Sequence, residues 1–141
     1  MRSCSVSIHE LSRVGLPIRF NMPFELGIAV ALSRMPAGHD FMVFEAERHR
    51  LIKTLSDLNG IDPGIHAATV RGMISCVLSS LGKPQGNPTP ADVTHIYRRL
   101  RKALPFLKQS HGRETIFSRA IFSELVAGAV GLAKNERLLR E

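Results

Sequence analysis

Tryptophan is absent, tyrosine occurs once, and cysteine only twice, at Cys4 and Cys76. Two cysteines make no disulfide framework, and no Cys or His pair has the spacing of a zinc-ligand set, so no metal is expected. Nothing beside either sulfur marks a stabilised thiolate, and both are read as small core residues. Aromatic side chains make up 6% of the chain, which argues against a dedicated binder of unpaired bases. No apolar run approaches the length needed to span a bilayer, and Met1-Arg2-Ser3-Cys4 lacks the apolar core of a secretory signal. These absences predict a soluble, cytoplasmic protein with no membrane partner.

What is present suffices for a core. The chain has 141 residues, 44% of them hydrophobic, enough to fold as one domain without staples. Lys and Arg outnumber Asp and Glu by 19 to 12, a formal charge of +7. That excess favours an anionic partner, and a nucleotide, a nucleic acid or an acidic protein would each satisfy it.

Along Ser3-Cys4-Ser5-Val6-Ser7-Ile8-His9, small apolar and polar residues alternate with the period of a strand buried on at least one face. Glu10, Ser12 and Arg13 leave its carboxyl end, where open α/β sheets hold ligands, and are candidates by position. A loop of roughly ten residues follows, longer than most strand-to-helix connections. Phe41-Met42-Val43-Phe44 is a continuous apolar run that predicts a buried parallel strand. The spacing then predicts a helix over 47–58, with Leu51, Ile52, Leu55 and Leu58 inward and Arg48, His49, Arg50 and Lys53 largely on a wet face. A short third strand is expected over 61–66, at an edge because of Pro63 and Gly64. Asp57 and His66 are pocket-lining candidates there, against the plainer reading of a turn Asp and a surface His. The next helix buries Val70, Met73, Ile74, Val77, Leu78 and Leu81.

The Pro/Gly-rich stretch 83–90 is the one strong composition break. It separates an α/β part, 1–82, from an all-helical tail, 91–141. In the tail, Thr89 caps and Pro90 opens a helix whose inward face is Val93, Ile96, Tyr97, Leu100 and Leu104, with Arg98, Arg99, Arg101 and Lys102 outward. Pro105 is expected to bend or end it, and a last helix is expected over 115–138. Two such helices form a hairpin whose apolar side needs a cover, from the α/β part or from a second subunit of a homo-oligomer.

One helix start stands apart. In Phe20-Asn21-Met22-Pro23-Phe24-Glu25-Leu26-Gly27, Asn21 suits a cap and Pro23 the opening turn. Phe24, Ile28, Ala31, Leu32 and Met35 share one face, Leu26 and Val30 lie well away from it, and the helix reads as buried nearly all round. Glu25 is then a half-dry carboxylate near the positive helix end, with burial and helix dipole opposing each other on its pKa. The alternative is that it completes a cap or pairs with an arginine.

Those residues with Arg19 before them, together with Ser7-Ile8-His9-Glu10-Leu11-Ser12-Arg13, Val43-Phe44-Glu45 and Ser56-Asp57-Leu58-Asn59-Gly60-Ile61-Asp62, resemble a group of small bacterial proteins. The strand, polar loop and Asn-x-x-x-Glu-Leu-Gly helix start also look like nucleoside 2-deoxyribosyltransferases and, more distantly, TIR-type NAD hydrolases. The resemblance implies a flavodoxin-like parallel half-sheet of two or three strands. It assigns the catalytic carboxylate to Glu25, with Asn21 near the substrate; Phe20 beside Asn21, and Glu10, Asp57 and His66 by their positions in the chain, complete the expected substrate-binding set. It implies no cofactor, with NAD entering as a substrate. It also implies a strand and helix ahead of Val6, and an in-frame upstream extension encoding them is expected. The leading expectation is therefore a nucleotide- or nucleoside-binding protein that cleaves an N-glycosidic bond. The rivals are a non-enzymatic nucleotide-sensing or protein-interaction module and, third, nucleic-acid binding through the basic tail helix.

Overall fold

The computed structural model describes residues 4–13, 21–36, 38–55, 60–82, 88–112, 115–116, 118–136 and 138. The chain divides into two compact units, Met1–Leu81 and Gly82–Glu141. The first is mixed α/β and the second is helical.

In the first unit three parallel strands, β1 (Val6–Glu10), β2 (Asp40–Glu45) and β3 (Gly64–Ile65), lie side by side in chain order. The register pairs Glu10 with Phe44 and Phe44 with Gly64. Because side chains alternate, Ile8, Glu10, Met42, Phe44 and Gly64 share one face, and Ser7, His9, Val43 and Glu45 the other. On the second face the helices α1 (Asn21–Ser33) and α2 (Arg50–Thr54) bring Leu26 and Leu51 against Val43, with Leu11, Val30, Phe41, Leu55 and Ile61 around them. The helix α3 (Val70–Ser80) packs on β2 and β3. A Cβ on Gly64 would come within 3.2 Å of Cys76 Sγ and 2.9 Å of the Phe44 ring, so that side chain's absence lets the edge strand lie close to α3. Among the described residues no helix is long and apolar enough to cross a membrane.

Several sequence expectations are corrected here. In α1 the buried residues are Leu26 and Ala29, while Phe24 is 70% and Met35 56% exposed. The helix carries apolar residues on both sides, and the side turned to the sheet is the one with Leu26 and Ala29. In β1 the polar residue His9 is buried and Ile8 is 45% exposed. The polar face is tolerated inside because its groups bond one another, as described below. The helix expected over 47–58 is the short α2, preceded by a left-handed His49 at φ 63°. Arg50 is not on a wet face but forms a two-pronged ion pair with the buried Glu45. In α3, Val70 and Leu81 are exposed. Cys4 is exposed rather than in a core, whereas Cys76 is half-buried and burial pushes its thiol pKa up.

In the second unit α4 (Pro90–Ser110) and α5 (Arg119–Asn135) pack on each other, with Ile96 and Ile121 buried and Gly128 letting Leu100 approach. Thr89 and Asp92 close a reciprocal cap at the start of α4, and Ser118 caps α5. Pro105 does not end α4, which continues to Ser110. Its ring is on the exposed side, where water can take the one carbonyl it deprives of a partner.

Candidate functional site

Glu10 ends β1 and His66 directly follows β3, both on the α3 face of the sheet. Their side chains meet over the end of β2. His66 Nε2 lies 3.2 Å from Glu10 Oε1 and 2.9 Å from Ser12 Oγ, and the Ser12 N–H donates to Glu10 Oε1 at 2.8 Å.

The proton inventory follows from one further bond. The Ala68 backbone N–H, which can only donate, points at His66 Nδ1 at 3.2 Å. Nδ1 of the neutral ring is therefore the acceptor, and the proton sits on Nε2, shared between Ser12 Oγ and Glu10 Oε1. With no lone pair facing Ser12, His66 cannot draw off its hydroxyl proton. These three side chains make a binding arrangement and not an activated serine nucleophile.

What they hold is a carboxylate. Burial pushes the pKa of Glu10 up, but the Ser12 hydroxyl and N–H and the His66 ring outweigh it, leaving the group below its ordinary value of 4.5. The bonds from the Ser12 N–H and His66 Nε2 both fall on Oε1, and the side chain is 35% exposed. A carboxylate has about four acceptor positions, so capacity remains for ligand hydroxyls. Beside it is an open cavity of about 390 Å³, lined by Glu10, Ser12, Arg13, His66, Thr69 and Met73 among others. Arg13 is the cation there, and Thr69 caps α3 by accepting from the Gly72 N–H at 3.0 Å.

The loop behind His66 is tightly determined. Ala67 and Ala68 both take left-handed φ, 52° and 53°, at a cost of roughly 1–2 kcal/mol each for L residues. The Thr69 N–H and hydroxyl both donate to the His66 carbonyl at 3.1 Å. A Cβ on Gly72 would lie 2.1 Å from that same carbonyl oxygen, so only glycine lets the first turn of α3 close on it. Strain held this firmly at a ligand-sized cavity points toward use. On the far side, Arg50 Nη2 donates to the Leu11 carbonyl at 3.3 Å and ties the exit of β1 to the Glu45 pair.

The opposite face holds a second histidine cluster. His39 Nδ1 must donate to the Cys4 carbonyl at 3.2 Å, so its Nε2 accepts from Ser7 Oγ at 2.8 Å. Ser7 in turn accepts from His9 Nε2 at 2.8 Å. That ordering leaves His9 Nδ1 as a bare acceptor, buried and with no hydrogen-bond partner among the described residues. Burial lowers the His9 pKa, the charge of Glu25 raises it, and His39 lowers it further.

Of the residues expected from sequence, Glu10 and His66 are brought together, and His66 is 5% exposed rather than a surface residue. Ser12 and Arg13, candidates only by position, complete the cluster. Glu25 is the fifth residue of α1, exposed, and absent from the lining of this cavity; its described electrostatic neighbour is His9. Asn21 is exposed at the first position of α1. Phe20 and Asp57 lie outside the described residues. His9, Ser7 and His39 were not singled out, although the alternation of Ser7 and His9 was a signal that one face of β1 could be a polar chain. Among the described residues no group of three or more His, Cys, Asp or Glu is placed to hold a metal ion. Comparison with models of known families, with curated proteins and with solved structures gives no match.

Proposed function

We propose that the α/β unit binds a nucleotide or nucleoside at the carboxyl ends of β1 and β3. The observation that carries this is Glu10, an ionised carboxylate held in place by Ser12 and His66 at the edge of a small-molecule-sized cavity. Vicinal ribose hydroxyls are the donors such a carboxylate accepts, and in doubly wound sheets an acidic side chain near a strand end takes that role. Arg13 and the first turn of α3 supply positive potential for a phosphate on the same cavity. Three parallel strands in chain order, with two helices on one face and the third packing on the other, support reading this unit as a flavodoxin-like half-sheet. The packing of α4 on α5 supports reading the tail as a helical hairpin.

The test is titration with NAD, AMP and a panel of nucleosides, followed by calorimetry and thermal shift. Wild type should bind at least one of them and be stabilised by it. Glu10→Gln should weaken that binding about tenfold or more, since a hydrogen bond to a charged group contributes about 1.5–3 kcal/mol. No stabilisation by any of them, or equal affinity in the variant, defeats the proposal.

A second reading, cleavage of the N-glycosidic bond, rests on the resemblance at the start of α1, which assigns the reacting carboxylate to Glu25; that residue is exposed and is not among those lining the cavity. A carboxylate can stabilise or trap the oxocarbenium-like sugar that such cleavage develops. Incubation with the same panel, comparing wild type with Glu25→Gln, should show product in the first and loss of it in the second. Binding without product assigns the unit to nucleotide sensing instead.

A further inference from the structure

The helical unit carries most of the net charge: eleven basic residues to five acidic after Leu81, against eight to seven before it. On α4 this charge is organised. His95, Arg98, Arg99, Lys102 and Phe106 stand at helical spacings of three and four, so they form one stripe along the helix, and all are exposed. Arg101 flanks it, reaching Tyr97 Oη at 3.5 Å.

Two features separate this stripe from an ordinary solvated helix face. The first is the shortage of carboxylates. The only acidic residue of α4 is Asp92, which is occupied in the cap with Thr89. From α5's end Glu136 reaches Arg99 at 2.9 Å and His95 at 3.6 Å, and Arg98 and Lys102 have no carboxylate partner among the described residues. Like charges three and four apart repel each other, and opposite charges at those spacings are the usual remedy. The second is Phe106, 72% exposed in line with the cations while the aliphatic face of α4 is turned to α5.

We infer that this stripe is a binding surface for a nucleic-acid strand, with the cations on phosphates and the Phe106 ring under a base. From His95 to Phe106 the helix rises about 16 Å, long enough to follow several phosphates of one strand. One exposed ring supplies a single stacking platform, so phosphate contacts are the main term here, and the low aromatic content that argues against a dedicated binder of unpaired bases is consistent with a mainly electrostatic surface. A membrane fits less well, because one phenylalanine among cations is not the broad apolar face that an interfacial helix inserts. The inference is independent of the nucleotide cleft, since no residue is shared.

The experiment uses the full chain and a fluorescent 20-nucleotide single strand, with anisotropy read from 50 to 300 mM salt. Wild type should bind with a log–log salt slope of about −2 to −3, for three or four phosphates neutralised. The double variant Arg98→Gln with Lys102→Gln should lower the slope's magnitude by about 1.4. Phe106→Ala should weaken binding about tenfold with the slope unchanged. Circular dichroism before each titration shows that the variants remain folded, as substitutions at exposed sites should. A wild-type affinity indifferent to salt, a double variant with the wild-type slope, or capture by phosphatidylserine vesicles and not by the oligonucleotide would each overturn the inference.

Discussion

Each unit contains an Arg–Glu pair, and the two pairs are not equivalent. In the α/β unit, Glu45 and Arg50 have side chains only 2% and 18% exposed, and the pair also accepts the Ala46 N–H and donates to the Leu11 carbonyl. In the helical unit, Arg99 and Glu136 are 51% and 28% exposed at 2.9 Å. Water screens the second and not the first. Removing one partner of the first strands a charge in the interior, while removing one partner of the second returns a charge to solvent. The Arg–Glu pair is therefore part of the interior in one unit and solvated in the other.

Breaking the buried pair should give the largest effect. Arg50→Ala should cost about 3–5 kcal/mol in urea unfolding, and because Arg50 also holds Leu11, it should disturb the Glu10–Ser12 geometry. Next comes Gly72→Ala, whose methyl would fall on the His66 carbonyl; a loss of about 1–3 kcal/mol, as for overpacking, is expected. If the carbonyl moves, nucleotide binding should weaken with it. A loss as small as that of an exposed Gly→Ala change would show that the His66 loop is not as tightly determined as its hydrogen bonds indicate.

Smaller effects lie in the pH dependence, where the two faces of the sheet differ. The folded pKa of His9 is below 6.5, so the unfolded chain takes up the proton first. Stability should be full above pH 6.5 and decline as pH falls from there toward the folded value. His9→Gln should flatten that segment of a stability–pH curve measured from pH 8 to 5. Glu10 acts lower: its folded pKa is below 4.5, so its contribution is full above that value and is lost as pH falls through the folded pKa. Glu10→Gln should flatten only that more acidic limb. Last, Arg99→Ala should change stability by no more than about 0.5–1 kcal/mol, and a loss as large as that of Arg50→Ala would erase the distinction between the units.

Much of the architecture was legible because local chemistry carries it. The Thr89–Asp92 cap, the glycine and proline break before it and the apolar run of β2 are short-range signals whose causes lie within a few residues. Glu10 and His66 were legible as candidates for different reasons, a strand end and a polar loop, but nothing in 55 intervening residues says that they touch. Their meeting depends on β2 lying between β1 and β3 and on Gly72 admitting the helix behind His66. Arg50 looked like one of four cations on a wet helix start, and only its position five residues after a buried Glu45 made it a core residue.

Taken alone, the order of strands and helices, the caps, the two-part composition and the concentration of positive charge after Leu81 were already written in the residues. Which side of each element faces inward was not. Periodicity sets the angle between side chains on one helix or strand, but a helix apolar on two sides, like α1, or a strand with a self-bonding polar face, like β1, has no unique inside. That choice belongs to the surface it packs against, because burial and hydrogen bonding are properties of pairs of elements and never of one.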